Sequence, residues 1–154
     1  MIVTNGLSKT FLIGKEKLRA LDQVDLEIKK GEFVAIMGPS GSGKSTLLQL
    51  LGGLDLPSEG EVMIDDISMG DLSEKERTLF RRRHIGFVFQ NYQLLPSLTV
   101  EENIAFPLDA DKVSKIEIKT RVAKLIKAMG LEGKERVFPN VMSGGQQQRV
   151  AIAR

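Results

Sequence analysis

The sequence has 154 residues, 42% of them hydrophobic and 27% charged, with a net charge of +2. Such a chain can bury one sizeable core, and its near balance of charge makes no electrostatic case for a nucleic-acid partner. There is no cysteine, which excludes disulfides and thiolate metal sites; no apolar stretch approaches the ~20 residues of a membrane span, and residues 1–5 lack the basic start and apolar run of a secretory signal.

In chain order, the apolar run at residues 32–37 (Glu-Phe-Val-Ala-Ile-Met) predicts a buried strand. A glycine-rich turn follows. Lys44 to Gly53 carries Leu47, Leu48, Leu50 and Leu51 and predicts a buried helix. Residues 60–67 read as a strand entering an Asp-containing turn at Asp65-Asp66. Ser73 with Glu76 is a capping box opening a helix to about Arg82. The cations Arg81, Arg82, Arg83 and His84 then suit that helix's C-terminal dipole, and His84 reads as a surface residue. Residues 85–89 predict a second buried strand. Thr99 with Glu102 is another capping box, and Ser114 with Glu117 a third. The third opens an amphipathic helix with the stripe Ile118, Val122, Leu125, Ile126 and Met129, ended by Gly130. Ser143 to Arg154 predicts a further helix. The strand-rich part gives way to the helical part near Gln90.

Gly38-Pro39-Ser40-Gly41-Ser42-Gly43-Lys44-Ser45 matches G-x-x-x-x-G-K-[ST]. Glycines let backbone N–H groups curl around phosphate oxygens, and the following helix N-terminus adds its partial positive charge. Lys44 would reach the β- and γ-phosphates of a nucleotide, and Ser45 would hold magnesium through its hydroxyl. A chance match in a chain of this length is about one in a hundred or less, and the context of strand before and helix after is the one the motif requires.

Met142-Ser143-Gly144-Gly145-Gln146-Gln147-Gln148-Arg149 resembles the signature of the ATP-binding cassette (ABC) transporter ATPases, usually written L-S-G-G-Q. With the phosphate loop upstream and Gln90 between, the whole chain resembles that family. Residues 38–48, 52–55, 85–90, 94–96 and 143–154 look most like the branch serving macrolide-export, lipoprotein-release and antimicrobial-peptide transporters. The resemblance implies an α/β fold with three parts. Residues 1–90 would hold an antiparallel β subdomain and the phosphate-loop NTPase core, 91–141 a helical subdomain, and 142–154 the signature and the helix after it. It implies ATP and Mg2+ as cofactors. Residues 38–45 with Thr46 would bind the phosphates, and Phe11 would stack on adenine, although a core aromatic on an N-terminal strand also explains Phe11. Gln90 would touch magnesium and water. Ser143, Gly144, Gly145 and Gln146 would cap the γ-phosphate of ATP held by an opposing subunit. Ser143 with Gln146 is also a capping box, but the two glycines each cost about 0.5–1 kcal/mol in a helical turn. Capping does not require them; close approach of a phosphate does. Met142 replaces the usual leucine at similar volume.

The implied partners are a membrane permease and a second ATPase subunit in a head-to-tail dimer, with no nucleic acid. The implied place is the cytoplasmic face of the membrane, held there by the permease. In the family, an apolar strand ending in aspartate and glutamate and a histidine loop follow the signature. Residues 1–154 contain neither, so hydrolysis by this stretch alone is not expected. The strands at 32–37 and 85–89 would then lack their neighbours. A soluble ABC-type ATPase without a transport role, or a non-catalytic fragment, are the alternative readings.

Overall fold

The computed structural model describes all residues, 1–154. They form two compact units, Met1–Gly86 and Phe87–Arg154.

In the first unit, β1 (Ile2–Ile13) and β2 (Glu16–Ile28) make a long antiparallel hairpin, with Ile2 opposite Ile28 and Ile13 opposite Glu16. β3 (Glu59–Ile64) pairs with the other edge of β1, and the short β4 (Ile67–Ser68) pairs with β3. The sheet order is β2-β1-β3-β4. The turn expected after β3 is Asp65-Asp66, both left-handed at φ 47 and 63. Aspartate tolerates that conformation, and such two-residue turns match the twist of a hairpin. Leu7, Leu21, Val62 and Ile64 of the sheet are buried with Leu50 and Leu51 of α1 (Lys44–Leu51) and Phe80 of α2 (Glu74–His84). Each such side chain contributes roughly 1.5–3 kcal/mol by leaving water. α1 is amphipathic rather than buried, since Leu48 is 56% exposed. α2 opens on the expected capping box: Ser73 Oγ accepts from Glu76 N, and Ser73 N donates to the Glu76 carboxylate at 2.9 Å. Its last turn carries Arg81 to His84, and His84 is exposed and stacks on Phe80, ring centres 4.6 Å apart.

Two expected strands do not form. Residues 32–37 and 85–89 have no strand pairing, and Phe33 is 97% exposed, Met37 88% and Val88 54%. The apolar runs are real, but a strand exists only where a neighbour takes its N–H and C=O groups. The four strands that do form pair with one another, and neither segment is joined to them.

The second unit is helical: α3 (Val100–Ala110), α4 (Lys115–Ala128), a 3-10 turn at Pro139–Val141 and α5 (Gly144–Ala153). Its core joins Val100 and Ile104 of α3, Ile118, Val122 and Ile126 of α4, and Val150 and Ala153 of α5. The stripe read from the sequence on α4 is the buried face, with Leu125 and Met129 half-buried at its margin. Gly130 ends α4 at φ +60. Its N–H donates to Lys127 O, while Leu131 N donates to Ile126 O. These are the paired bonds of a Schellman ending, and Leu131 and Ile126 are both buried as its apolar contact. Ser114 Oγ accepts from Glu117 N at 3.3 Å, the capping half of the expected box. Asn103 is wholly buried: its Oδ1 accepts from Leu95 N, and its Nδ2 lies 2.9–3.1 Å from the carbonyls of Leu95, Leu98 and Thr99. One side chain thus fastens the loop that enters α3.

At the start of α3 the Thr99 backbone N–H, and then its hydroxyl, hold the Glu102 carboxyl below its ordinary 4.5. A lowered folded value means stability that is present above pH 4.5 and lost as pH falls through the folded value. Glu102→Gln keeps an acceptor but cannot titrate. Its unfolding free energy, by urea titration between about pH 5 and 3, is expected to fall less steeply than that of the parent; parallel curves would show that the box carries no pH-dependent stability.

Candidate functional site

The phosphate loop runs from residue 38 into α1. Four of the five helices have a side chain accepting from their first-turn N–H groups: Ser73, Thr99, Ser114 and Ser143. At α3 the backbone helps as well, with Val100 N and Glu101 N donating to Val137 O and Glu135 O. α1 differs. Its N-cap is Gly43, left-handed at φ 85, with no side-chain cap bond. A helix N-terminus so left presents N–H groups and a partial positive charge to whatever anion fits.

Gly43 is required here for two reasons. Its φ favours glycine, and a Cβ would stand 2.5 Å from Ala20 O and 3.0 Å from Leu21 Cδ2. The loop is therefore pressed against β2. Lys44 folds back over it, donating to Gly38 O at 2.9 Å, Pro39 O at 2.7 Å and, at 3.4 Å, Ser42 Oγ. Ser45 is exposed on the first turn of α1, beside Thr46.

A concavity of about 310 Å³ opens here, lined by Ser40 to Thr46 and by Phe11, Leu18 and Ala20 of the β1–β2 hairpin. Phe11 pairs with Leu18 across the strands and is half-buried, with Lys9 Nζ 5.2 Å from its ring centre. Lys44 is the one charged residue in the lining, which has no carboxylate to repel an anion. A larger concavity of about 710 Å³ lies against α3 and α4, but it carries five acidic side chains beside three lysines and no glycine-rich turn enters it.

The other expected residues belong to the second unit. Gln90 is exposed in a turn. Behind it Tyr92 and Gln93 are both left-handed, at φ 59 and 52, and Arg154 donates to Gln93 O at 2.8 Å. Two consecutive non-glycine residues there store roughly 1–3 kcal/mol each, and neither residue type announces it. Ser143 Oγ accepts from Gln146 N at 3.4 Å, and Ser143 N donates to Gln146 Oε1 at 3.0 Å, so the signature opens α5 as a capping box. A Cβ on Gly144 would meet Tyr92 Oη at 3.4 Å, whereas one on Gly145 would meet nothing within 4 Å.

Residues 21–154 match the family described as ABC transporter. The chain belongs to that family. It is 51% identical over 160 residues to the ABC transporter ATP-binding protein MJ0796 of Methanocaldococcus jannaschii, covering 100% of this chain and 67% of the relative. Identity is 43% to the ABC transporter ATP-binding protein YknY of Bacillus subtilis and 44% to the methionine import ATP-binding protein MetN of Histophilus somni, and the chain spans 67% and 44% of those two. The solved dimer of the MJ0796 cassette bound to ADP and Pi superposes with a TM-score of 0.91 at 49% identity, over 99% of this chain and 68% of that one. The fold is that of an ABC ATPase cassette, and this chain spans about two thirds or less of these relatives' lengths.

The two glycines of the cassette make opposite demands. Gly43→Ala places a methyl against Ala20 O at a strained φ, and a loss of roughly 1–3 kcal/mol is expected. Gly145→Ala meets nothing and favours the helix, so stability is expected to stay level or rise by up to about 1 kcal/mol. Thermal melts of the two variants check this, and equal losses would contradict it.

Proposed function

We propose that this chain is part of the ATP-binding subunit of an ABC transporter, binding ATP with magnesium at residues 38–46. The observation that carries the reading is the helix N-terminus of α1, without a side-chain cap, facing the same acid-free concavity as Phe11. The residues fit the ligand. Backbone N–H groups and Lys44 suit phosphate oxygens, and Phe11 offers a ring for the base at the other wall. Lys44 now satisfies its charge on two loop carbonyls and would exchange them for phosphate oxygens, which is why its net contribution is modest. Magnesium takes hard oxygen donors, with water and phosphate completing its shell. The Ser45 hydroxyl supplies one, and the resemblance assigns a second to Gln90.

In phosphoryl transfer to water the protein acts by positioning and charge neutralisation. Residues 38–46 neutralise and orient the phosphates; Gln90 is neutral and takes up no proton. In the whole protein, Ser143 to Gln146 would meet the γ-phosphate held by a second subunit. Neither packing nor φ explains a glycine at 145 within the chain, and approach from outside does. The solved relative is itself described as dimeric. No helix is long and apolar enough to cross a membrane. By the family resemblance, a transport role would run through a membrane-embedded permease, with the subunit at its cytoplasmic face. The sequence stretches that look like the export branch make export or extraction the direction we favour.

In the full-length protein, Lys44→Ala is expected to weaken ATP–magnesium binding about tenfold to a hundredfold, the effect of a charge-assisted contact of roughly 1.5–3 kcal/mol. Calorimetry reads this directly, and unchanged affinity would remove Lys44 from the site. Gly145→Asp is expected to leave ATP binding by the monomer intact while abolishing ATP-driven dimerisation, because it sets a carboxylate against a phosphate. Size-exclusion chromatography in a hydrolysis-blocked background checks the second outcome; a normal dimer would refute it.

A further inference from the structure

α1 has only eight residues, about 12 Å of helix. Its two ends are therefore mechanically one body. Its N-terminal end is set by Gly43 against the Ala20 carbonyl. Its C-terminal end is gripped by α2. Arg81 Nη1 donates to Gly53 O at 2.7 Å, just past the helix, where Gly53 N and Leu54 N return to Leu50 O and Gln49 O. Arg81 does not swing freely. Its other nitrogen donates to Thr78 Oγ1 at 2.8 Å and to Glu74 at 3.4 Å, and its side chain is 18% exposed. Glu74 also pairs with Arg77 at 2.6 Å. Arg77, in turn, donates to Met69 O and Leu72 O and makes no bond to α1's end. The two arginines sit one helical turn apart and divide the work: Arg77 fastens the loop before α2, and Arg81 fastens the end of α1.

We infer that Arg81 is a positioning residue for the phosphate loop, acting through α1 from the end opposite the phosphates. The inference rests on the reading of residues 38–46 as the phosphate site. Phosphate contacts work only when the donors hold their places to within about half an ångström. A cation at the C-terminal end of α1 also complements the helix dipole without touching the ligand. Removing the guanidinium frees Gly53 O and lets α1 shift along its axis, so the N–H groups, Lys44 and Ser45 move off register together.

The test compares three variants of the full-length protein by calorimetric ATP–magnesium affinity, with the nucleotide-free thermal midpoint as control. Arg81→Ala is expected to weaken binding about threefold to tenfold. Arg77→Met keeps its apolar stem and is expected to lower the thermal midpoint at least as far while affinity stays within about twofold. Arg81→Lys keeps one donor for Gly53 O and is expected to fall between Arg81→Ala and the parent, and it carries the comparison if Arg81→Ala does not fold. Lys44→Ala, run alongside, tests the phosphate site itself. Weakening at Lys44→Ala with none at Arg81→Ala or Arg81→Lys overturns the inference and leaves the phosphate site standing. Equal weakening at Arg77→Met and Arg81→Ala reduces Arg81 to general stability and also overturns it. No effect at Lys44→Ala removes the site, and the inference falls with it.

Discussion

The carbonyl of Ala20 and the missing side chain of Gly43 share one space, and the rest of the first unit is arranged around that contact. A methyl group would not fit there, so the loop can lie against β2 and α1 can begin directly above the hairpin. Phe11 and Leu18, paired across the same hairpin, then fall on the wall facing the loop. Because a left-handed glycine begins the helix, no serine or aspartate caps it. The same residue thus brings the helix end to the sheet and leaves its donors available. A capping serine at this point would satisfy an N–H group that the proposed phosphate site needs.

The second unit follows the opposite policy. α3 has its first-turn donors taken by Thr99, Glu135 and Val137, and an N-terminus closed in this way offers no anion cradle of its own. α5 is closed only in part, by the reciprocal box of Ser143 and Gln146. If α5 meets a phosphate, Gln146 N is already taken by Ser143, and the exposed Gly144 and Gly145 offer both their own N–H groups and space for a close approach.

Local chemistry was legible in the sequence wherever the partners lie within about four residues. The boxes at Ser73, Thr99 and Ser143, the Asp65-Asp66 turn, the Gly130 ending and the stripe on α4 all involve such short spans, and the structure has each of them. The glycine-rich turn leading into α1 belongs with these, since its spacing is itself local. What could not be read depends on distant segments. An apolar run says only that residues 32–37 suit a strand; that their neighbours would be lacking followed from the family resemblance, and the structure has no strand beside them. Arg81 was legible only as a cation near a helix C-terminus. That its guanidinium serves a different helix, through a carbonyl 28 residues away, needs coordinates. Asn103 reads as a polar residue inside a helix, and its burial among three carbonyls leaves no mark on the pattern.

That asparagine has a consequence for how the helical unit ages. An amide and a carboxylic acid have nearly the same shape, so packing alone could not tell Asn103 from an aspartate at the same place. Hydrogen-bond polarity can. The amide nitrogen faces the oxygens of Leu95, Leu98 and Thr99, and deamidation would put a charged oxygen in front of all three, in a site without water to screen it. The loop before α3 would be pushed off the helix it introduces. The burial that makes the clamp effective also shields the amide from the solvent that hydrolyses it, so the position is protected for as long as the unit stays folded.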